Sequence, residues 1–364
     1  MGCRAGILAA LVAAAVPGLA RAEITIAVVG PMTGQYAAVG EQLRRGAEMA
    51  TAEINERGGI LGQKVRLEIG DDVCDPKQAV SVANQLGNKG VAFVAGHYCS
   101  GSSIPASDVY AEFDIVQITP ASTNPKLTER GLKNVFRVCG RDDQQGRVAG
   151  AYIAENFKDK RVALIHDKTA YGKGLADETR ANLNGHGLRE VMYEAITAGE
   201  RDYSALVSRL KAERVDVVYF GGYHTEAGLI TRQMRQAGLD APMISGDAMV
   251  TQEFWAITGE SGEGSMMTFS PDLRLVPEAA PVVERFRKTG YEPEGYTLYT
   301  YVAVQIFAQA AELAKSIEQP AVSKALRENE FSTAIGRFGF DEKGDVEGKT
   351  YAFYRWSKGD YKPM

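Results

Sequence analysis

The feature that most constrains this chain is an alternation that runs twice. Short Val- and Ile-rich runs alternate with amphipathic stretches of helical length, the pattern of βαβ units and a parallel sheet. "ITIAVVG" (24–30) leads to a helix in "GEQLRRGAEMATAEINERGG", which stops at Gly58-Gly59 as a helix C-terminus should. "KVRLEIGDD" precedes a helix opening at Asp75-Pro76, with proline at a first helical position. "VAFVAG" leads to "HYCSGSS", and "IVQITPAST" leads to the loop "NPKLTERG". After "VFRVCGRDDQQG" a second series begins. "RVALIHDK" leads to "YGKGLADETRANLNGHG", "VMYEAIT" to "DYSALVSRLKAER", and "VDVVYFGG" to "YHTEAGLITRQMRQAG". "PMISGD" and "GSMMTFS" continue it as short strands. Two series predict two α/β lobes.

The last ninety or so residues must belong somewhere. "PVVERFRKTG", "YTLYTYVAVQIFAQAAELAKS" and "QPAVSKALRE" read as helices, and "GRFGFDEKGD" with "YAFYRWSKGDY" as a terminal hairpin or strand pair. With little sheet of their own, these residues are expected to complete the first two lobes rather than to form a third domain.

Residues 1–22 read as a secretory signal. Arg4 precedes the apolar run "AGILAALVAAAVPGLA", and "ARA" at 20–22 offers the small residues that cleavage needs. Cys3 lies ahead of the apolar run, which argues against a lipid anchor. The remaining chain, roughly 340 residues, exceeds the size at which one core keeps growing. Without Arg4 and Arg21, 39 basic residues face 46 acidic ones, a net charge of −7. That balance argues against nucleic acid or an anionic membrane surface as partner.

Cys74, Cys99 and Cys139 remain after export, in a compartment where disulfides persist. Cys74 lies just past "VRLEIGDD" and Cys99 just past "VAFVAGHY", so neighbouring strand ends would bring them together. The expectation is a Cys74–Cys99 bridge with Cys139 a buried thiol; the alternative leaves all three reduced.

Several chemistries lack their residues. "HYCSGSS" does not match the G-x-S-x-G elbow of a serine hydrolase, and His97 beside Ser100 in one loop is weak support for a dyad. Cys99 as a thiol nucleophile competes with its expected bridge. The four histidines, His97, His166, His186 and His224, show no metal-binding spacing, and "DDVCD" lacks the glycine and distal glutamate of a calcium loop. "YGKGLAD" lacks the third glycine of a dinucleotide turn. Neither metal nor cofactor is expected.

A binding cradle remains. Open parallel sheets hold ligands outside the carboxyl ends of their strands, where this sequence concentrates small hydroxyl residues. "CSGSS" at a helix start offers amides, hydroxyls and the positive helix end, a combination suited to a carboxylate; the dull alternative is ordinary capping. "TPAST" (119–123) offers carbonyls and the Thr123 hydroxyl. Asp247 in "ISGDAM" lies at a strand end in the second series, where it either accepts from an ammonium group or caps a local helix. Tyr171 and Tyr223 follow second-series strands and would wall an apolar side chain unless they are ordinary core aromatics.

At these residues the chain resembles the branched-chain amino-acid-binding (leucine/isoleucine/valine-binding) proteins of bacterial ABC importers. The motifs "VVGPMTG", "GGILGQKV", "DDVCDPKQAV", "HYCSGSSIPASDVY", "ITPASTNP", "HDKTAYGKGLADE", "VVYFGGYHTEAG" and "FDEKGD" carry the likeness from about Glu23 almost to the end. The resemblance implies a type I periplasmic binding fold, two Rossmann-like lobes with parallel central sheets and three interlobe crossovers. It implies lobes of about 23–141 plus 272–348 and 142–271 plus 349–364. It also implies the Cys74–Cys99 bridge, a periplasmic monomer that works with an inner-membrane permease, no catalysis, and an aliphatic L-amino acid as ligand. In the family, the positions of Ser100 and Thr123 bind the ligand's carboxylate and ammonium groups. Ala121 would supply a carbonyl and Ser122 a backbone donor; Tyr171 and Tyr223 would flank the ligand, and Asp247 would meet the ammonium. Four departures bear on the pocket. Asp247 stands where many relatives have Glu, Ser122 where alanine is frequent, Val39 where some have an aromatic wall, and Tyr98 where an aliphatic is common. Two rival readings are a cytoplasmic amide sensor on the same fold, which would need no export signal, and an exported hydrolase, which would turn its ligand over.

Overall fold

A computed structural model describes residues 23–348 and 350–364; the expected signal at 1–22 lies outside the described residues. The first series builds one parallel sheet from β1 (Ile24–Gly30), β2 (Val65–Asp71), β3 (Phe93–Gly96), β4 (Val116–Thr119) and β5 (Val135–Arg137), in the order β2-β1-β3-β4-β5. Its helices are α1 (Ala37–Glu56), α2 (Pro76–Asn88), α3 (Ser100–Glu112) and the short α4 (Lys126–Glu129). α2 begins as its sequence demands: the Asp75 side chain accepts from the amides of Lys77 and Gln78, and Pro76 opens the first turn.

The chain then crosses to a second sheet. α5 (Asp142–Asn156), β6 (Val162–His166), α6 (Ala170–Gly185), β7 (Met192–Ala195), α7 (Ser204–Ala212), β8 (Val217–Gly221), α8 (His224–Gln236), β9 (Met243–Ser245), α9 (Gln252–Thr258) and β10 (Met266–Phe269) follow in turn. The sheet runs β7-β6-β8-β9-β10, the same order by rank as the first, and all of these pairs are parallel.

A second crossing returns the chain to the first lobe as α10 (Ala280–Lys288), α11 (Thr297–Ala314), α12 (Gln319–Glu328) and the hairpin β11 (Phe331–Thr333) with β12 (Gly336–Phe338). α11 is buried along most of its length and lies against α1, where a side chain on Gly46 would run into the Thr297 carbonyl. Phe307 of α11 stacks on Phe93 of β3 with ring centres 4.4 Å apart, a pair worth about 0.5–1.5 kcal/mol beyond its buried area. The third crossing delivers β13 (Ala352–Ser357) and β14 (Asp360–Pro363) to the edge of the second sheet, with β13 antiparallel to β10. Trp356 of β13 is fully buried against Phe254 and Trp255, which fixes this edge.

The fold class and its three crossovers agree with expectation, and two local readings are corrected. "GRFGFDEKGD" and "YAFYRWSKGDY" do not pair with each other: Gly336–Phe338 pairs with Phe331–Thr333, whereas the final segment forms its own hairpin in the other lobe. A helix over Asp142–Asn156 was not anticipated. Gly146 and Gly150 weaken its pattern, and both are there for closeness, since a Cβ on either would meet α6 at Glu178 or Asn182 within 3 Å.

Candidate functional site

The carboxyl ends of the strands in both sheets face one cleft. β3 ends at Gly96, and the following loop is held by His97, which is fully buried. Its Nδ1 lies 2.6 Å from Asp72 Oδ2 and its Nε2 2.9 Å from the Tyr110 hydroxyl, while its carbonyl accepts from Thr119 and Ser122. Both ring nitrogens are thus engaged in scaffolding, away from Ser100. Cys99 is the N-cap residue of α3 and is bonded to Cys74, with Cα atoms 5.6 Å apart, inside the usual range for a disulfide. Cys139 is free and buried, and burial pushes its thiol up.

Ser100 opens α3, so the positive end of that helix lies at the cleft. Beside it, the 119–124 segment is tied down from within. Thr119 Oγ1 accepts from the amides of Ala121 (3.2 Å) and Ser122 (2.9 Å), and Ser122 Oγ bonds Ser103 Oγ at 2.7 Å. The Ser122 amide, expected as a donor to a ligand, is therefore engaged inside its own turn. Arg137 anchors the segment from below: Nη1 donates to the carbonyls of Ser122 (2.8 Å) and Asn124 (2.9 Å), while Nε meets Asp345 at 2.8 Å. The Thr123 hydroxyl is buried and forms no well-aligned hydrogen bond among the described residues, yet lies near enough to Asp142 to favour its ionised form.

From the second lobe comes Asp247, two residues past β9. Its Oδ1 accepts from Gln145 Nε2 at 2.8 Å and the Tyr171 hydroxyl at 2.9 Å, and its Oδ2 from the Tyr296 hydroxyl of the first lobe. Burial pushes this carboxyl up, and those hydrogen bonds oppose the shift. Asp142, also fully buried, is pushed well up by burial and then by the charge of Asp247. Gln145 Nε2 reaches both acids, lying 3.4 Å from Asp142 Oδ1. No lysine or arginine hydrogen-bonds either carboxyl among the described residues, although the Arg137 charge favours the ionised form of Asp142.

Tyr98, Ser100, Ala121, Tyr171, Tyr223, Asp247 and Ala248 line a cavity of about 10 Å³ between the two groups, the smallest space that admits one water. Aromatic rings close it: Tyr223 lies 5.0 Å from Tyr171, 5.9 Å from Tyr98 and 4.8 Å from Tyr36, centre to centre. An amino-acid-sized molecule enters only if the lobes or these rings separate.

The structure thus brings together six of the nine anticipated residues as lining, with Ser122 and Thr123 in the turn behind Ala121. Val39 is buried in α1 but does not line the cavity; Tyr36, one turn earlier, presents its ring to Tyr223 instead. Sequence reasoning missed Tyr36, Tyr296, Gln145, Asp142 and Arg137. Tyr36 and Tyr296 each stand immediately before a helix, α1 and α11, without a side-chain capping bond, so local sequence carried no signal for them.

A family model described as "Periplasmic binding protein" matches residues 23–360. The chain is 52% identical over 343 residues to a Leu/Ile/Val-binding protein homolog 1 of Brucella suis, covering 94% of this chain and 92% of that one. Among solved structures it is similar to a leucine binding protein, LivK, from Thermotoga maritima (28% identity, TM-score 0.87, 94% and 97% covered). It is also similar to the branched-chain amino acid transporter substrate binding protein LivJ of Streptococcus pneumoniae in complex with isoleucine (26% identity, TM-score 0.85, 94% and 99% covered).

Proposed function

The chain belongs to the periplasmic binding protein family, and on that premise we propose that it captures an aliphatic, branched-chain L-amino acid between its lobes and delivers it to an ABC importer. The lobes are assigned as 23–141 with 272–348 and 142–271 with 349–364, and residues 1–22 as the export signal that takes a monomer to the periplasm. The observation that carries this reading is the opposition of two unlike groups across one small cavity. On one side stand Ser100 and the positive end of α3; on the other stands buried Asp247, with no basic hydrogen-bond partner among the described residues. A zwitterion satisfies both.

Ser100, the Ala121 carbonyl and Thr123 take the α-carboxylate and part of the ammonium, and Asp247 takes the ammonium's charge. Tyr98, Tyr171 and Tyr223 wall the side chain. The open form takes the ligand on the first lobe, and closure brings Tyr223 and Asp247 over it. Closure is favoured only to the extent that the ligand contacts the closed form better. Because one methylene in an apolar pocket is worth about 1–3 kcal/mol, leucine, isoleucine and valine are all candidates. Calorimetry with L-leucine, D-leucine and the alcohol analogue lacking the carboxylate tests the assignment. L-leucine should bind best, and equal affinity for all three would remove the cradle from the account.

A further inference from the structure

Away from the cavity, at the outer edge of the cleft, a second contact joins the lobes through a carboxylate. Glu226, in the first turn of α8, is fully buried. Its Oε2 accepts from the Tyr36 hydroxyl at 3.1 Å and its Oε1 from Gln35 Nε2 at 3.3 Å, both from the loop before α1 in the other lobe. A third bond, from the Gly199 amide at 2.9 Å, comes from its own lobe. Thr225 adds a weaker crossing bond to the Gln35 carbonyl at 3.5 Å. No basic side chain pairs with Glu226 among the described residues, and Asp167 nearby adds a like charge.

We propose that Glu226, Tyr36 and Gln35 form an interlobe latch that sets how firmly the protein closes, without touching the ligand. The assignment to ligand retention rests on the reading of the cleft given above. In an open form Glu226 keeps the Gly199 bond and meets water. On closing it loses that water, and burial of an unpaired carboxylate is unfavourable unless hydrogen bonds replace the solvent. Tyr36 and Gln35 are those replacements. The latch also reaches the pocket, since the Tyr36 ring packs on Tyr223, which lines the cavity. Glu226 is therefore a positioning residue: it penalises closure when its donors are missing and leaves the open form untouched.

Two substitutions isolate the effect. Tyr36→Phe keeps the ring and removes the donor; Glu226→Gln keeps the shape and removes the charge. Distances between spin labels, one on each lobe, report closure in the ligand-free protein: Tyr36→Phe should shift that distribution towards longer separations, and Glu226→Gln, which removes the buried charge that opposes closure, should reverse that shift when added to Tyr36→Phe. With L-leucine, L-isoleucine or L-valine as probe, Tyr36→Phe should raise the dissociation rate about ten- to hundred-fold, the span of one charge-assisted hydrogen bond. Its association rate should stay within about threefold. Should Glu226→Gln fail to fold, Tyr36→Phe carries the test alone. Wild-type-like distances and dissociation rates in Tyr36→Phe overturn the latch. If none of the three probes binds the wild type, the reading of the cleft fails instead, and the label distances alone decide the latch: an unchanged distribution refutes it.

Discussion

Tyr296 donates its hydroxyl proton across the cleft to Asp247, so one carboxylate of the second lobe is shared between a tyrosine of its own lobe, Tyr171, and a tyrosine of the other. The acid assigned to the ligand's ammonium is also a point where the lobes meet. Asp247→Asn should weaken binding of L-leucine about ten- to hundred-fold by removing a charge-assisted contact worth about 1.5–3 kcal/mol. Thermal stability should hold or rise, because a buried charge has gone. Calorimetry and a melt on the same sample check both halves.

Two buried groups at the cleft titrate with opposite sign. Burial pushes Asp167 up to about 6 and His224 down to about 4. The folded protein therefore holds more protons on Asp167 than the unfolded chain does, so that contribution falls as pH rises from about 4 to about 6. His224 is folded in its neutral form, and its contribution is lost as pH falls from about 6.5 towards about 4. The two partly cancel in the wild type. Asp167→Asn should unmask a melting temperature that rises with pH across this window and should add on the order of 2–3 kcal/mol at pH 7. Thermal melts at pH 4.5, 5.5 and 7 read out the first effect and urea unfolding at pH 7 the second.

Arg137 is fully buried under the cradle and holds two of its carbonyls. Burial alone would raise the Asp345 carboxyl, and Arg137 with Arg141 keeps it below the ordinary range. Arg137→Met should cost about 3 kcal/mol, since it leaves a buried acid and two carbonyls short of donors. L-leucine affinity should fall as well, because the 122–124 turn loses its anchor. Equilibrium unfolding and calorimetry measure the two effects separately.

The Cys74–Cys99 bridge spans a sequence separation of 25 residues, a loop whose closure is worth about 3.5 kcal/mol on the chain-entropy account. Cys74→Ser with Cys99→Ser should lower stability by an amount of that order. Because the bridge holds the residue immediately before Ser100, affinity should drop too; a melt and a titration of the double variant check this.

Gly174 of α6 separates closure from stability. A Cβ there would meet Asn124 Nδ2 at 2.5 Å, and that nitrogen now donates across the cleft to the Ala170 carbonyl at 2.7 Å. Gly174→Ala should therefore weaken ligand binding while leaving the melting temperature unchanged or higher, since alanine is favoured over glycine by up to about 1 kcal/mol in a helix. Calorimetry alongside a thermal scan distinguishes this from general damage.

Much of this was legible in the sequence, because a buried parallel strand must read as a short apolar run and its helix must show a face. The positions of Ser100, Tyr171, Tyr223 and Asp247 followed from strand ends alone. What stayed hidden depends on the third dimension. Gln145 and Asp142 lie on a helix whose glycines blur its periodicity, and Tyr296 arrives from a segment that returns to the first lobe after more than a hundred residues. Arg137 looked like one more basic residue until its carbonyl partners were placed. Val39 illustrates the converse, since a residue at the right helix can still face the core while Tyr36, three positions earlier, faces the cleft.

The route of the chain has a consequence for how the molecule is made. α11 packs on α1 and β3, and the hairpin of β13 and β14 finishes the other sheet, so neither half is a continuous stretch of sequence. During synthesis the first sheet waits for a helix made near the end, and the second waits for the final strands. A ribosome-bound fragment ending before residue 297 exposes the apolar face that Phe307 covers. A chain that stops before residue 297 lacks the parts that finish both lobes, whereas one that stops between residues 348 and 352 lacks only the two strands that close the second sheet.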